Sequence, residues 1–397
     1  MGLSDEGLVL VLVFTWLPLL ALHGVVMHRA LRMTRSGVLS DYNKNLVALV
    51  TFVLVAAIYT TACTVSIYAA LVDRETDRSL IALIAESVWL ISPVVAAACA
   101  LIIDWPPVVS GFKIFPSSRP EWKLAVSRAI FFGVPFCFIF AAGDQVLRNI
   151  IGLIVTGDYN SPVPIRPDFV VAIGTAFGYS GGNPFICHII GGISNFTIGP
   201  LIDLFAPACD SIYEYKNAAG TGIASYFLYA IPEEIGWTGT LYPLLLRHFA
   251  EQGRAQWAVL KSILLTGVVW GLWHVPFIVL KADPDSPTYI GIVYNFLFLL
   301  SCVATRAVLI PLVWPVHRPS THLLEGEAET ITKPSLVPAI MAHAGMNVWW
   351  TYFSALHDWK AAPVWSMLVG SEFGLVAVAW QFAIAFIVIR SSWKSAN

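Results

Sequence analysis

The 397-residue chain is 57% hydrophobic and only 12% charged, with a mean hydropathy of +0.73 and a formal net charge of -2. These values exclude an ordinary soluble globular domain, and the near-balanced charge offers no basic surface for nucleic acid. They describe a polytopic membrane protein.

A helix needs about 20 apolar residues to cross the hydrocarbon of a bilayer. Taken in chain order, such runs predict spans near residues 7–28, 45–72, 79–103, 124–143, 222–246, 256–281, 289–315, 335–356 and 364–390. The first run reads as a retained span, since no basic stretch precedes it and no small-x-small cleavage site follows it. Segments 104–123 and 144–168 read as Pro-rich connectors. The stretch 169–206 is also apolar but is interrupted by Gly178, Gly181, Gly182 and Pro184, which predicts a helical hairpin, either two full spans or a re-entrant pair. His317–Lys333, carrying Glu325, Glu327 and Glu329, reads as a cytoplasmic loop. The expected fold is therefore an all-α polytopic transmembrane helical bundle of about nine clear spans plus a broken helical hairpin. No internal repeat is evident, which argues against a transporter built from inverted halves.

Basic residues in short loops set the expected orientation. Arg29, Arg32, Arg35 and Lys44 follow the first span, Lys113, Arg119 and Lys123 the third, and Arg390 and Lys394 the last. All three flanks are expected in the cytoplasm, with the N-terminus outside and the C-terminus inside. The six cysteines have no CxxC pair and read as buried small hydrophobes, neither a disulfide framework nor a metal cage. Glu86 and the pair Asp144 and Arg148 fall near span ends and are expected at the interface. His188 and Asp203 lie in the expected hairpin, where they can serve its broken backbone.

Ionisable side chains at hydrocarbon depth cost upward of roughly 2.5 kcal/mol each and mark functional sites by default. Three polar clusters interrupt the C-terminal apolar runs: Pro232-Glu233-Glu234-Ile235-Gly236-Trp237-Thr238-Gly239, Trp270-Gly271-Leu272-Trp273-His274, and His343-Ala344-Gly345-Met346-Asn347. Residues four apart share a helix face, so Trp270 stacks with His274 and His343 with Asn347. Glu233 and Glu234 point about 100° apart, so one can face a cavity while the other braces the scaffold. Two carboxylates, two imidazoles and a carboxamide suit hydrolysis. A carboxylate withdrawn from bulk water can take a proton from a water molecule near neutral pH, while imidazole and amide donors can stabilise an oxyanion. No nucleophilic Ser or Cys in a recognisable elbow competes. Two His with one Glu can also bind zinc, although no HExxH or HxxEH pair is present. The tryptophans Trp237, Trp270 and Trp273 read as cavity wall, and Gly267 with Gly271 as a close helix contact.

In these three motifs the sequence resembles the CAAX protease and bacteriocin-processing family, whose members include type II CAAX prenyl endopeptidases. The family pattern is EExxxR, then FxxxH or WxxxH, then HxxxN on a later helix. Glu233-Glu234 begins the first, Trp270 to His274 matches the second, and His343 to Asn347 the third. The resemblance covers roughly residues 169–356, dividing the chain into N-terminal helices 1–168 with no functional reading, a protease-like core 169–356, and a last helix and tail 357–397. It implies an intramembrane endopeptidase acting without cofactor or metal on a membrane-associated or prenylated polypeptide, with membrane lipids as its other partner. By the same resemblance Glu233 is the base, His274 shares in activating the water, and His343 with Asn347 stabilises the oxyanion. A silent relative that only binds a membrane partner, and a proton-coupled transporter, are the alternatives.

Thr238 stands where the motif has arginine. Glu234 must then be protonated, accept other hydrogen bonds or find another cation. Arg306, inside the apolar run Phe296 to Trp314, is the candidate, because a buried arginine itself demands a partner. A separation beyond about 6 Å would rule the pairing out, and snorkelling of Arg306 to the interface is the competing expectation.

Overall fold

The computed structural model describes residues 5–35, 40–72, 78–103, 116, 119–156, 223–250, 255–281, 288–314, 335–355, 368 and 373–394. The expected hairpin, with His188 and Asp203, the loop His317–Lys333 and the side chain of Glu86 lie outside them. The described residues form nine continuous helices. They are α1 (Asp5–Arg35), α2 (Asp41–Val72), α3 (Arg78–Ile103), α6 (Ala255–Lys281), α7 (Thr288–Val313), α8 (Val337–Ala355), α9 (Leu375–Lys394), and two composite helices, α4 and α5. Helix α4 joins Arg119–Phe131, a π turn at Phe132–Phe136 and Cys137–Thr156; α5 joins Ile223–Gly236, a π turn at Trp237–Leu241 and Tyr242–Ala250.

Among the described residues the fold is all-α, as apolar runs of this length require when no water is present to satisfy backbone groups. Four stretches of the described residues are long and apolar enough to cross a membrane: Tyr42–Ser66, Arg119–Ile154, Trp257–His274 and Gly291–Val313. Val88–Ile103 and Leu375–Ser391 are apolar but shorter. The chain is a multi-pass membrane protein, with four of the nine expected crossings meeting these criteria among the described residues.

Two expected connectors are partly helical. Helix α4 runs from Arg119 to Thr156, through the end of the first and the start of the second. Pro120 lies in its first turn, where its missing N–H costs nothing, and no proline follows within 144–156. Asp144 and Arg148, expected near a span end, lie within this helix. They are buried and form an ion pair of 3.0 Å one turn apart, beside Gln145, whose amide donates to Asn149 at 2.8 Å.

The chain divides into two compact units: Met1–Pro116 with Pro232–Leu336 and Phe386–Asn397, and Ser117–Ile231 with Val337–Ala385. In the first, α2 packs along α1 and α3, and α6 packs against α2, α7 and the C-terminal part of α5. In the second, α8 lies along α4. Cys63, Cys99, Cys137 and Cys302 are free and buried, as expected of small hydrophobes.

Small residues set how closely these helices approach. A Cβ on Gly267 would lie 2.5 Å from Val303 Cα, and one on Gly271 would lie 2.5 Å from Leu299 Cδ1. The GxxxG of α6 is thus the seat of α7. Gly267→Val is expected to destabilise the protein by about 1–3 kcal/mol through overpacking, seen as a lower thermal midpoint in detergent. Gly291→Ala, which meets nothing within 4 Å, should leave the midpoint unchanged or slightly raised.

Candidate functional site

The first unit gathers Glu233 and Glu234 from α5, Trp270 and His274 from α6, and Arg306 from α7. Pro232 sits inside α5 just before the two acids, and the π turn Trp237–Leu241 follows them. The downstream proline accounts for the register of that turn. Tyr242 N–H bonds back five residues to Trp237 O, so Thr238 O would next need the N–H of Pro243, which has none. The Trp314 indole N–H takes that carbonyl instead, at 2.9 Å. Thr240 Oγ1 follows the widened register, donating to Ile235 O at 3.0 Å.

Glu234 is 0% exposed and so is Arg306. Arg306 Nη1 donates to Glu234 Oε1 at 2.7 Å and to Thr238 Oγ1 at 3.1 Å, while Thr238 Oγ1 donates to Glu234 Oε2 at 2.6 Å. Both carboxylate oxygens therefore accept, one from a cation and one from a hydroxyl, which is the pattern of an ionised Glu234. The pairing expected from sequence is present, and Arg306 does not snorkel. Thr238 does more than vacate the motif position, because it bridges acid and base.

Glu233, 4% exposed, stands in a different environment. Its Oε2 accepts the indole N–H of Trp270 at 2.6 Å. The face of that indole lies under Arg306, whose Cζ is 3.9 Å from a ring centroid. Trp270 O lies 2.9 Å from His274 Nδ1. A carbonyl only accepts, so Nδ1 carries the proton and in the neutral ring Nε2 holds the lone pair. Trp270 therefore contacts Glu233, Arg306 and His274 by three different parts of one residue. Reading it as cavity wall missed these roles.

Among the described residues, four rings border His274. Trp270, Trp273 and Phe298 approach at centroid distances of 5.2, 4.6 and 5.3 Å, and Trp89 of α3 at 5.6 Å, all edgewise. Trp89 carried no signal in the sequence beyond being a tryptophan in an apolar span. Gly236, two residues after the acid pair, lies so close to Pro93 of α3 that a Cβ there would collide with the Pro93 side chain and backbone.

His343 and Asn347 lie on α8 in the second unit. His343 is buried and Asn347 half-buried. The π turn of α4 packs against this part of α8: a Cβ on Gly345 would collide with Gly133 O, and Cys137 Sγ donates to Ala342 O at 3.2 Å. Among the described residues no three His, Cys, Asp or Glu side chains are grouped as metal ligands. The two-His, one-Glu zinc set considered from sequence has no such cluster behind it, and a metalloendopeptidase label is not supported.

The charge network makes a direct prediction. Removing one partner of a buried pair leaves the other charge uncompensated, at a cost of about 3–5 kcal/mol. Arg306→Met should therefore lower stability in detergent by that order, whereas Arg306→Met combined with Glu234→Leu should recover much of the loss. Thermal unfolding of the two variants reads this out, and equal destabilisation by both would contradict a paired Glu234.

Comparison with family models matches residues 216–315 to type II CAAX prenyl endopeptidase Rce1-like proteins. That segment, about a quarter of the chain, includes Glu233, Glu234, Thr238, Trp270, His274 and Arg306 and ends before His343 and Asn347. No curated protein and no solved structure matched the chain. Residues 216–315, carrying the acid pair and the WxxxH helix, are thus similar to type II CAAX prenyl endopeptidase Rce1-like proteins.

Proposed function

We propose that this protein is an intramembrane endopeptidase that hydrolyses a peptide bond of a membrane-associated or prenylated polypeptide, with Glu233 as general base. The observation that carries this reading is the unequal treatment of two adjacent carboxylates. Glu234 is paired with Arg306 and accepts the Thr238 hydroxyl, so it serves as scaffold. Glu233 accepts a neutral indole N–H, and it is the carboxylate to which this reading gives the proton.

In the proposed reaction a water oxygen attacks the scissile carbonyl carbon while Glu233 takes one of its protons. His274, with its Nε2 lone pair, orients that water. Charge then builds on the carbonyl oxygen, and the resemblance of the HxxxN motif implies His343 and Asn347 as its donors. Glu233 returns the proton to the leaving nitrogen, the C–N bond breaks, and a carboxylate and an amine leave. The basic loops keep the C-terminus in the cytoplasm in this proposal.

Thr238 in the motif position gave the best reason to consider a silent relative. Arg306 meets that objection by providing from α7 the cation that the motif would place on α5. Glu233→Gln keeps the shape but cannot accept the proton, so cleavage of a prenylated CAAX-type peptide in proteoliposomes should fall about 10²-fold or more. Wild-type turnover should persist in the presence of a chelator. Undiminished cleavage by Glu233→Gln would remove Glu233 as the base.

A further inference from the structure

Helix α3 lies outside the family match, yet it reaches His274 through a closed circuit of side-chain contacts. Pro93 has no N–H to offer Trp89 O, its partner four residues back. Ser92 Oγ donates to that carbonyl instead, at 2.7 Å. Ser92 Oγ in turn accepts the indole N–H of Trp273 at 3.0 Å, and the indole N–H of Trp89 donates to Trp273 O at 3.3 Å. The two indoles stack with centroids 4.0 Å apart and planes 10° apart. Both rings then meet the imidazole of His274 edgewise, at 4.6 and 5.6 Å.

We propose that Trp89 and Ser92 of α3 are positioning residues for His274, locking Trp273 against the imidazole so that its Nε2 is held in one orientation. Apolar packing alone would need the stacked rings but neither the hydroxyl nor the two N–H bonds. All three polar groups are buried, and each would cost about 1–3 kcal/mol if left unsatisfied. The circuit therefore forms as a unit, and it fixes two of the four rings around His274. The other two come from Trp270, whose carbonyl holds Nδ1, and from Phe298.

This rests on the role proposed above for His274, so the test includes a readout that does not need turnover. Full-length protein in lipid nanodiscs is assayed with a prenylated CAAX-type peptide. Trp89→Leu and Ser92→Ala are expected to lower kcat by roughly 10- to 100-fold, the scale of a catalytic group displaced by about 1 Å, with KM unchanged. Trp89→Phe, which keeps a ring against Trp273, should lose less. Added to His274→Ala, Trp89→Leu should cause no further loss, because both act through the same imidazole. Near-UV circular dichroism and the thermal midpoint report whether each variant is folded.

Independently of activity, modification of His274 by diethyl pyrocarbonate, located by mass spectrometry, should be several-fold faster in Trp89→Leu than in wild type and little changed in Trp89→Phe. Wild-type kcat in both Trp89→Leu and Ser92→Ala, or a full multiplicative loss on top of His274→Ala, would overturn the proposal. So would unchanged labelling of His274 in Trp89→Leu. A wild-type protein that cleaves nothing, yet shows the labelling difference, would instead overturn the hydrolytic reading and leave the latch standing.

Discussion

A guanidinium with no exposed surface fixes the geometry of everything near it. Arg306 can be buried only if its charge is matched and its face covered, because taking an unpaired ion out of water costs several kcal/mol. Glu234 matches the charge, Thr238 accepts an N–H and Trp270 covers the face. Those partners sit on α5 and α6, so α7 must approach both closely. Gly267 and Gly271 permit that approach on the α6 side. The ion pair also orders the two acids. Two adjacent carboxylates with like surroundings would compete for one proton, and the arginine removes one from the competition.

Prolines produce the local irregularities from which the site is built. Pro243 leaves Thr238 O without an N–H in the π register, and Pro93 does the same to Trp89 O. In water such carbonyls would be hydrated. In a dry interior they must be met by side chains, since an unsatisfied backbone group there costs several kcal/mol. Trp314 meets the first and Ser92 the second. Each substitute donor draws another element toward the acid pair, α7 in one case and the α3–α6 contact in the other. The helix breaks are thus the means by which side chains far apart in sequence are brought together.

Much of this was legible in the residues, for definite reasons. Long apolar runs identify helices because the bilayer allows little else, and the Glu pair, Trp270 with His274, and the lone Arg306 stand out because polarity there needs a partner. The pairing of Arg306 with Glu234 was one of two expectations, raised by Thr238 standing where the motif has arginine and by the need of a buried arginine for a partner, with snorkelling as the other. The hydroxyl of Thr238 on Glu234 was overlooked, although the spacing of four residues was visible, because attention fell on the arginine it replaces. The pairing of Asp144 with Arg148 is not counted by hydropathy, which scores each charge and not their neutralisation one turn apart. Trp89 was invisible, since nothing in a single sequence tells which of 15 tryptophans stacks on another helix. Helix α4 extends into both expected connectors because the apolar residues between their prolines continue the helix.

The choice of tryptophan at position 270 matters beyond its ring. The family motif also admits phenylalanine there, which would supply a face for Arg306 and an edge for His274. It would offer no N–H to Glu233. With tryptophan, the indole nitrogen orients the carboxylate while the backbone carbonyl of the same residue sets the tautomer of His274. The relative placement of the proposed base and its imidazole neighbour is thereby defined by one rigid side chain and one helical turn. Arg306, pressed on the indole face, holds that side chain in place, so the charge that neutralises Glu234 also fixes the group that orients Glu233.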